Sequence, residues 1–298
     1  MQATLDCLEC VMKQALRAAR VATDDVDVQR RILDETARRI PGLNLALSPA
    51  EVSQCAYELA AELSGKRDPY GELRRQQNAL ALGLEAELRD HVRQSDDPLL
   101  TALHLAAAGN VIDLGTMKEE HIDVHDAIDQ VLRESFTVDH TAAFRESLAS
   151  CNDLLFCLDN AGEIVFDKIL IEELQKHTSV TAVVKAGPII NDAVMADAVQ
   201  VGLPDVCEVS DNGGAFIGCP PNLVPASFLT RMERADVILG KGQGNYETID
   251  DFPGDVFLIL RAKCEVVAAH MGVQFGQVAL ISARVRREEQ SAHSAPLT

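Results

Sequence analysis

Positive charge is scarce in this chain: 27 Lys and Arg stand against 46 Asp and Glu, a net charge of -19. So acidic a surface repels phosphate backbones and anionic headgroups, which excludes nucleic acid and charged membranes as partners. Any anionic ligand must meet locally placed cations. Long apolar runs are missing too. The most apolar stretches, Val180 to Val184 and Val256 to Leu260, have the length of strands, far below the ~20 residues of a bilayer-crossing helix. Met1 to Cys10 show no basic start followed by an apolar run, so no secretory signal is expected and a cytoplasmic location is. The 8 cysteines follow no small-scaffold spacing in a chain of 298 residues and read as reduced thiols rather than a disulfide framework. Neither a P-loop nor a dinucleotide fingerprint occurs, and internal repeats, low-complexity tracts and flexible linkers are absent.

What is present is 47% hydrophobic residues, enough for a sizeable core in one or two domains. Residues 1–150 read as a helical region. Leu5, Leu8, Val11, Met12, Ala15 and Leu16 recur at helical spacing, and Val26 to Ile40 repeats the pattern up to Pro41-Gly42. Ser48, Pro49 and Glu51 supply a cap, a first-turn proline and a capping-box acid for a helix that Gly65 ends. Further helices are predicted over Pro69 to Val92, Leu99 to Ala108, Val124 to Glu134 and Thr141 to Ser150.

From Asp153 short runs of Val, Ile and Leu alternate with helical stretches, the signature of a parallel sheet covered by helices. Strands are predicted at Leu154 to Leu158, Val180 to Val184, Val206 to Val209, Val237 to Leu239, Val256 to Leu260 and Val278 to Ile281. Helices fall between them at Ile164 to Lys176, Asp192 to Val199, Pro225 to Arg234 and Cys264 to Met271. Residues 151–285 are thus read as an α/β core, with 286–298 as a frayed polar tail.

Ligands of open parallel sheets bind at the carboxyl ends of the strands. There this sequence puts Asp159-Asn160-Ala161-Gly162-Glu163, then Lys185 to Asp192, then Gly240 to Glu247, then Arg261-Ala262-Lys263-Cys264. Hard divalent ions such as Mg and Mn take carboxylate and amide oxygens together with water and phosphate, and Asp159, Asn160 and Asp192 fit that description. Asp192 could instead be a plain helix cap. The glycines of Gly240 to Glu247 would let backbone amides approach an anion, or merely shape a turn. Lys241 and Lys263 are cations for phosphate or solvated surface charges.

Asp159-Asn160-Ala161-Gly162-Glu163, Pro188-Ile189-Ile190-Asn191-Asp192 and Gly240-Lys241-Gly242-Gln243-Gly244-Asn245-Tyr246, in that order and at that distance, resemble the DUF89 family, the ARMT1-like damage-control phosphatases. Cys7-Leu8-Glu9-Cys10, Asp68-Pro69-Tyr70 and Gly109-Asn110-Val111-Ile112-Asp113 resemble its stand-alone prokaryotic subgroup. The resemblance spans Cys7 to about Ile281. It implies an α/β fold, a helical N-terminal region packed on a Rossmann-like, mostly parallel sheet core. It also implies a divalent-metal phosphatase, using Mn, Mg, Co or Ni, that hydrolyses a small phosphorylated metabolite, damaged or made in error. Carried over, Asp159, Asn160 and Asp192 become the metal ligands, and Gly244, Asn245, Tyr246, Glu247 and Lys263 hold substrate. Glu247 stands where the sugar-phosphate branch tends to have arginine, which weakens the case for a sugar phosphate.

On this reading Lys263, Lys241 and glycine amides bind phosphate oxygens, with Glu163 beside them. The attacking group is either Asp159 itself or a water with Glu163 or Asp192 as base; a residue committed to a metal is the poorer nucleophile. Cys7 and Cys10 share a helix face and read as buried structural thiols, since no second Cys-x-x-Cys completes a zinc site. Cys264 reads as packing, Asn110 and Asp113 as a possible closure of the site, and His104, His121 and His125 as surface or core residues. Two other functions compete: a nucleotide- or phosphate-binding regulator without hydrolysis, and a helical interaction module on a decayed core.

Overall fold

The computed structural model describes residues 1–109 and 134–294. The predicted helix over Val124 to Glu134 and the residues Asn110, Asp113, His121 and His125 lie outside the described residues. Helices are numbered below in chain order through the described segments.

The first half is helical as its periodicity predicts: α1 Leu5–Ala22, α2 Val26–Arg39, α3 Pro49–Ser64, α4 Gly71–Leu82, α5 Glu85–Gln94 and α6 Pro98–Gly109. The start of α3 carries the full capping box. Glu51 N donates to Ser48 Oγ at 3.2 Å and Ser48 N donates to Glu51 Oε2 at 3.0 Å, while Gly65 closes the helix at a φ of 69°. The single helix predicted over Pro69 to Val92 is two, broken at Gly83-Leu84. The break aims the two pieces differently. Leu88 and Val92 of α5 join the main core, whereas α4 buries Arg74, Gln77 and Asn78 against the polar loops of the sheet half.

That half holds a seven-stranded sheet of order β1-β7-β6-β5-β2-β3-β4. Its strands are β1 Val138–Asp139, β2 Asp153–Cys157, β3 Ser179–Val184, β4 Glu208–Asp211, β5 Val237–Lys241, β6 Val256–Arg261 and β7 Val278–Ser282. All pairs are parallel except β6 with β7. Successive side chains point to opposite faces, so the inner strands are largely apolar because both faces are covered, while the edge strands β1 and β4 carry Asp139, Glu208 and Asp211. Leu154, Phe156, Val180, Ala182, Leu239, Phe257 and Ile259 enter one core with α6, α7 (Thr141–Ser150) and α8 (Glu163–Leu174). Leu155, Cys157, Val183, Ile238, Leu258 and Ile281 enter the other, with α10 (Ala226–Arg234), α11 (Gly242–Ile249) and α12 (Glu265–Met271).

Three predicted elements come out differently. The helix expected from Asp192 starts at Met195 (α9 Met195–Gln200), because the chain before it runs extended and pairs Lys185 with Val194. Asp192 is therefore no helix cap. The glycine-rich stretch from Gly240 is not a loop. It ends β5 and opens α11 within one residue. The tail expected to fray is instead α13, Ala283–Ser294. Its polar composition conceals arginines that hold it down: Arg284 Nε donates to Asp255 Oδ1 at 3.2 Å and Arg286 bonds Tyr246 and the His270 carbonyl.

Candidate active site

The strand order fixes where a ligand can enter. From β2 the chain runs outward through β3 and β4, then returns to β5 on the other side of β2, opening a crevice at the carboxyl ends of β2 and β5. Asp159 and Asn160 follow β2, Lys241 ends β5 and Gly242 opens α11. The loop after β3 is laced onto them through the main chain. Ala193 N donates to the Asp159 carbonyl at 2.8 Å, Ala161 N donates to the Asn191 carbonyl at 2.9 Å, and Asn160 pairs antiparallel with Asp192. Asp159, Asn160 and Asp192, 33 positions apart in sequence at the extremes, thus form one unit.

Side chains tighten it. Asn160 Nδ2 donates to Asp159 Oδ2 at 2.9 Å and to Glu163 Oε1 at 2.8 Å. Lys241, fully buried, donates to Glu163 Oε2 at 3.2 Å and lies 3.0 Å from Asp167 Oδ1. The latter contact is an ion pair, and among the described residues neither buried Asp167 oxygen has a hydrogen-bond partner. Lys185 Nζ donates to the Gly218 carbonyl at 2.7 Å and stands 3.6 Å from Asp192 Oδ2, too far for a hydrogen bond, so that oxygen too has no donor.

Gly242 is required where it stands. At a φ of 78°, a Cβ there would fall 1.8 Å from Asp159 Oδ2, so only glycine lets the start of α11 approach the carboxylate.

So many carboxylates out of water cannot all ionise comfortably. Burial, and then the neighbouring Glu163, push Asp159 up to about 6. Burial raises Asp192 to about 8 against the pull of Lys185, with Asp159 and Glu163 raising it further. Asp167 is pushed up to about 7 by burial, against Lys241. Burial alone would depress the two lysines, but Cys219 and Asp192 hold Lys185 above its ordinary value, and Asp167 and Glu163 do so for Lys241.

A divalent cation fits this donor set. Mutually repelling buried carboxylates and an orphaned Asp192 oxygen are what a hard ion relieves. Among the described residues no three His, Cys, Asp or Glu side chains form a ready metal cage. The donors therefore amount to two carboxylates and an amide, with remaining positions for water or phosphate.

The other predicted residues divide. Lys263 is exposed and interacts electrostatically with Asp159, whereas Lys241 is sealed behind the acids and is no surface charge. Asn245 Nδ2 donates to the carbonyls of Cys157, Leu158 and Lys241 at 3.2, 3.3 and 2.7 Å, tying the ends of β2 and β5 together. The Tyr246 hydroxyl bonds His270 Nδ1 at 2.8 Å and Arg286, inside the second core. Gly244 packs against Gly218. Glu247 is buried, accepts from Gln243 Nε2 at 2.7 Å and is raised to about 7 by burial. The side chains of Asn245 and Tyr246 are thus committed to the scaffold. Of the thiol pair only Cys7 is buried; Cys10 is exposed and accepts from Gln14 Nε2 at 3.2 Å. Cys264 caps α12, accepting from Val267 N at 3.5 Å. His104 packs edge-on against Phe136.

Sequence reasoning overlooked Asp167, Lys185 and the clamp from α4. Asn78 Oδ1 accepts from Gly162 N at 2.7 Å while its Nδ2 donates to Asp197 and Gln200. Arg74 Nε bonds Asp197 Oδ2 at 2.8 Å, and Asn191 Nδ2 donates to Gln77 at 3.3 Å. Asp167, one turn beyond Glu163 inside an otherwise apolar helix, was the detectable signal.

Comparison with known proteins agrees with this architecture. The damage-control phosphatase ARMT1-like domain matches residues 3–278. A damage-control phosphatase of Pyrococcus horikoshii is 31% identical over 280 residues, covering 93% of this chain and 96% of its own. One from Archaeoglobus fulgidus is 30% identical over 279 residues, covering 91% and 96%. An uncharacterised protein of Methanocaldococcus jannaschii is 32% identical over 287 residues, covering 93% and 94%. The crystal structure of a DUF89 family protein from Pyrococcus horikoshii superposes with a TM-score of 0.88 at 29% identity, covering 95% of this chain and 99% of that one. With near-complete coverage in sequence and in fold, this chain belongs to the ARMT1-like (DUF89) damage-control phosphatase family.

Proposed function

We propose that this protein is a divalent-metal-dependent phosphatase that hydrolyses a small phosphomonoester at the crevice between β2 and β5. The observation that carries the reading is the convergence of Asp159, Asn160 and Asp192 on one main-chain-laced unit with an orphaned, buried Asp192 oxygen. Relatives named damage-control phosphatases support the reaction class.

Asp159, Asn160 and Asp192 would hold the ion, which supplies charge neutralisation at the phosphoryl oxygens. Lys263, exposed beside Asp159, meets the remaining phosphate charge. It provides the local positive potential that a chain of net charge -19 otherwise lacks. Glu163, fixed between Asn160 and Lys241, is the base: it takes a proton from the attacking water as the water oxygen bonds to phosphorus and the ester P–O bond breaks. The departing alkoxide takes a proton from solvent water and Glu163 returns its proton to solvent, so that an alcohol and inorganic phosphate are released. Lys241 holds Glu163 in place through its Oε2 and is itself paired with Asp167. Asn245 and Gly242 hold the two strand ends at the distance the site needs.

Phosphate release from small phosphomonoesters, with the metal-stripped protein and after adding back Mn, Mg, Co or Ni, tests the reading. Turnover only with metal is expected. Full turnover by verified metal-free protein in excess chelator would overturn it. Binding of nucleotide or phosphate without hydrolysis under every metal would favour a regulatory protein instead.

A further inference from the structure

Beside the site, between α3 and the loop that follows β3, lies a cavity of about 150 Å³. Tyr57, Tyr70, Pro188, Ile189 and Ile190 line it, with Arg67 among its few charged members. Nothing in the hydrolysis described above uses it.

Three observations make it more than a gap in packing. Its wall is largely apolar and offers two tyrosine rings, the surface against which a flat ring packs best. It is joined to the reaction site through the chain, since Ile189 and Ile190 of its lining stand three and two residues before Asp192 in the same loop. Lastly, Ile190 has a φ of 46°, the one non-glycine residue in the left-handed region among those described. A β-branched side chain there is strained. Such strain collects at ligand clamps and is kept where the surrounding fold enforces it.

Size narrows the occupant. An apolar cavity of about 150 Å³ holds one benzene-sized ring. From this we infer that the cavity is the leaving-group subsite, and that the enzyme prefers phosphomonoesters of alcohols carrying a single aromatic or heteroaromatic ring over ringless ones. The inference rests on the phosphatase reading above and adds the substrate class.

The test compares benzyl phosphate with ethyl phosphate under saturating Mn. Both release simple alcohols, so the leaving groups differ little in chemistry while only one carries a ring. Benzyl phosphate should show a kcat/KM about tenfold or more above ethyl phosphate. Ala61→Phe, which fills the cavity from a residue of its lining, should abolish that advantage and leave ethyl phosphate unchanged. Should the variant fail to fold, inhibition of the wild type by benzylphosphonate against ethylphosphonate reads the same preference. Equal efficiency for the two esters would overturn the subsite alone. Hydrolysis of neither, with metal bound, would overturn the phosphatase reading and the subsite with it.

Discussion

Replacing Gly242 by alanine separates the role of the site from the stability of the fold. Two costs follow from the structure. The left-handed backbone, φ 78°, costs a residue with a Cβ about 1 to 2 kcal/mol. The new methyl would also sit 1.8 Å from Asp159 Oδ2 and 2.3 Å from its Cγ, far inside the 3.4 to 4 Å of an ordinary contact, so the carboxylate must move by more than 1 Å. A misplacement of that order costs roughly 100-fold in rate. Gly272 gives the matched control, with a φ of 77° at the end of α12 and nothing within 4 Å of a Cβ. Gly272→Ala should therefore share the backbone cost and keep its turnover. Thermal unfolding and metal-dependent phosphate release on both variants provide the comparison. If Gly242→Ala retains wild-type kcat/KM, Asp159 is not positioned for chemistry by this contact and the reasoning fails.

Other expectations concern charge and the clamp from α4. Lys263→Ala should lower kcat/KM by about 2 to 4 kcal/mol of transition-state binding while calorimetric Mn affinity holds; a collapse of metal affinity with unchanged turnover would contradict it. Asn78→Ala should destabilise the protein by about 1 to 3 kcal/mol, because the buried Gly162 N–H and Asp197 oxygen lose their partner; a denaturant midpoint equal to wild type would refute this. The pH response follows from four carboxyls raised in the fold, Asp159 to about 6, Asp167 and Glu247 to about 7 and Asp192 to about 8. The folded state holds protons that the unfolded chain releases, so the contribution of these groups to metal-free stability is full below the ordinary carboxylate range and is lost as pH rises from there through these values. Added Mn should flatten the slope and release protons. A chelated protein with a higher Tm at pH 8 than at pH 5.5 would refute the assignment.

Much of this was legible in the sequence, for reasons that differ by element. The six strands expected from Leu154 onward were each found to within a few residues, most of them as short apolar runs covered on both faces, whereas the two-residue β1, Val138–Asp139, was not foreseen within the region read as helical. Ser48, Pro49 and Glu51 start α3 as their chemistry dictates. Asp159 and Asn160 were visible because a polar pair ends an apolar strand. Composition misled where tertiary contacts decide. Residues 240–247 read as an anion-cradling segment or a turn, since glycine content cannot distinguish either from a helix whose first glycine makes room for Asp159. The last segment looked solvated because its arginines find partners far away in sequence. Lys185 stood at a strand end without a role, and Asp167 showed only as an acid one turn beyond Glu163; their partners became visible only when the sheet order brought β2, β3 and β5 side by side.

The central claim is that Asp192 joins Asp159 and Asn160 in holding the ion that hydrolysis requires. Asp192→Asn keeps the shape and removes the charge. Because burial and its acidic neighbours disfavour that charge in the metal-free fold, the metal-free variant should be no less stable than wild type at pH 8. Calorimetric titration of Mn into metal-free wild type and variant, with phosphate release on the same preparations, is the direct measurement. The account predicts a folded variant that has lost both Mn binding and turnover; a variant that binds Mn and releases phosphate as the wild type does would contradict it.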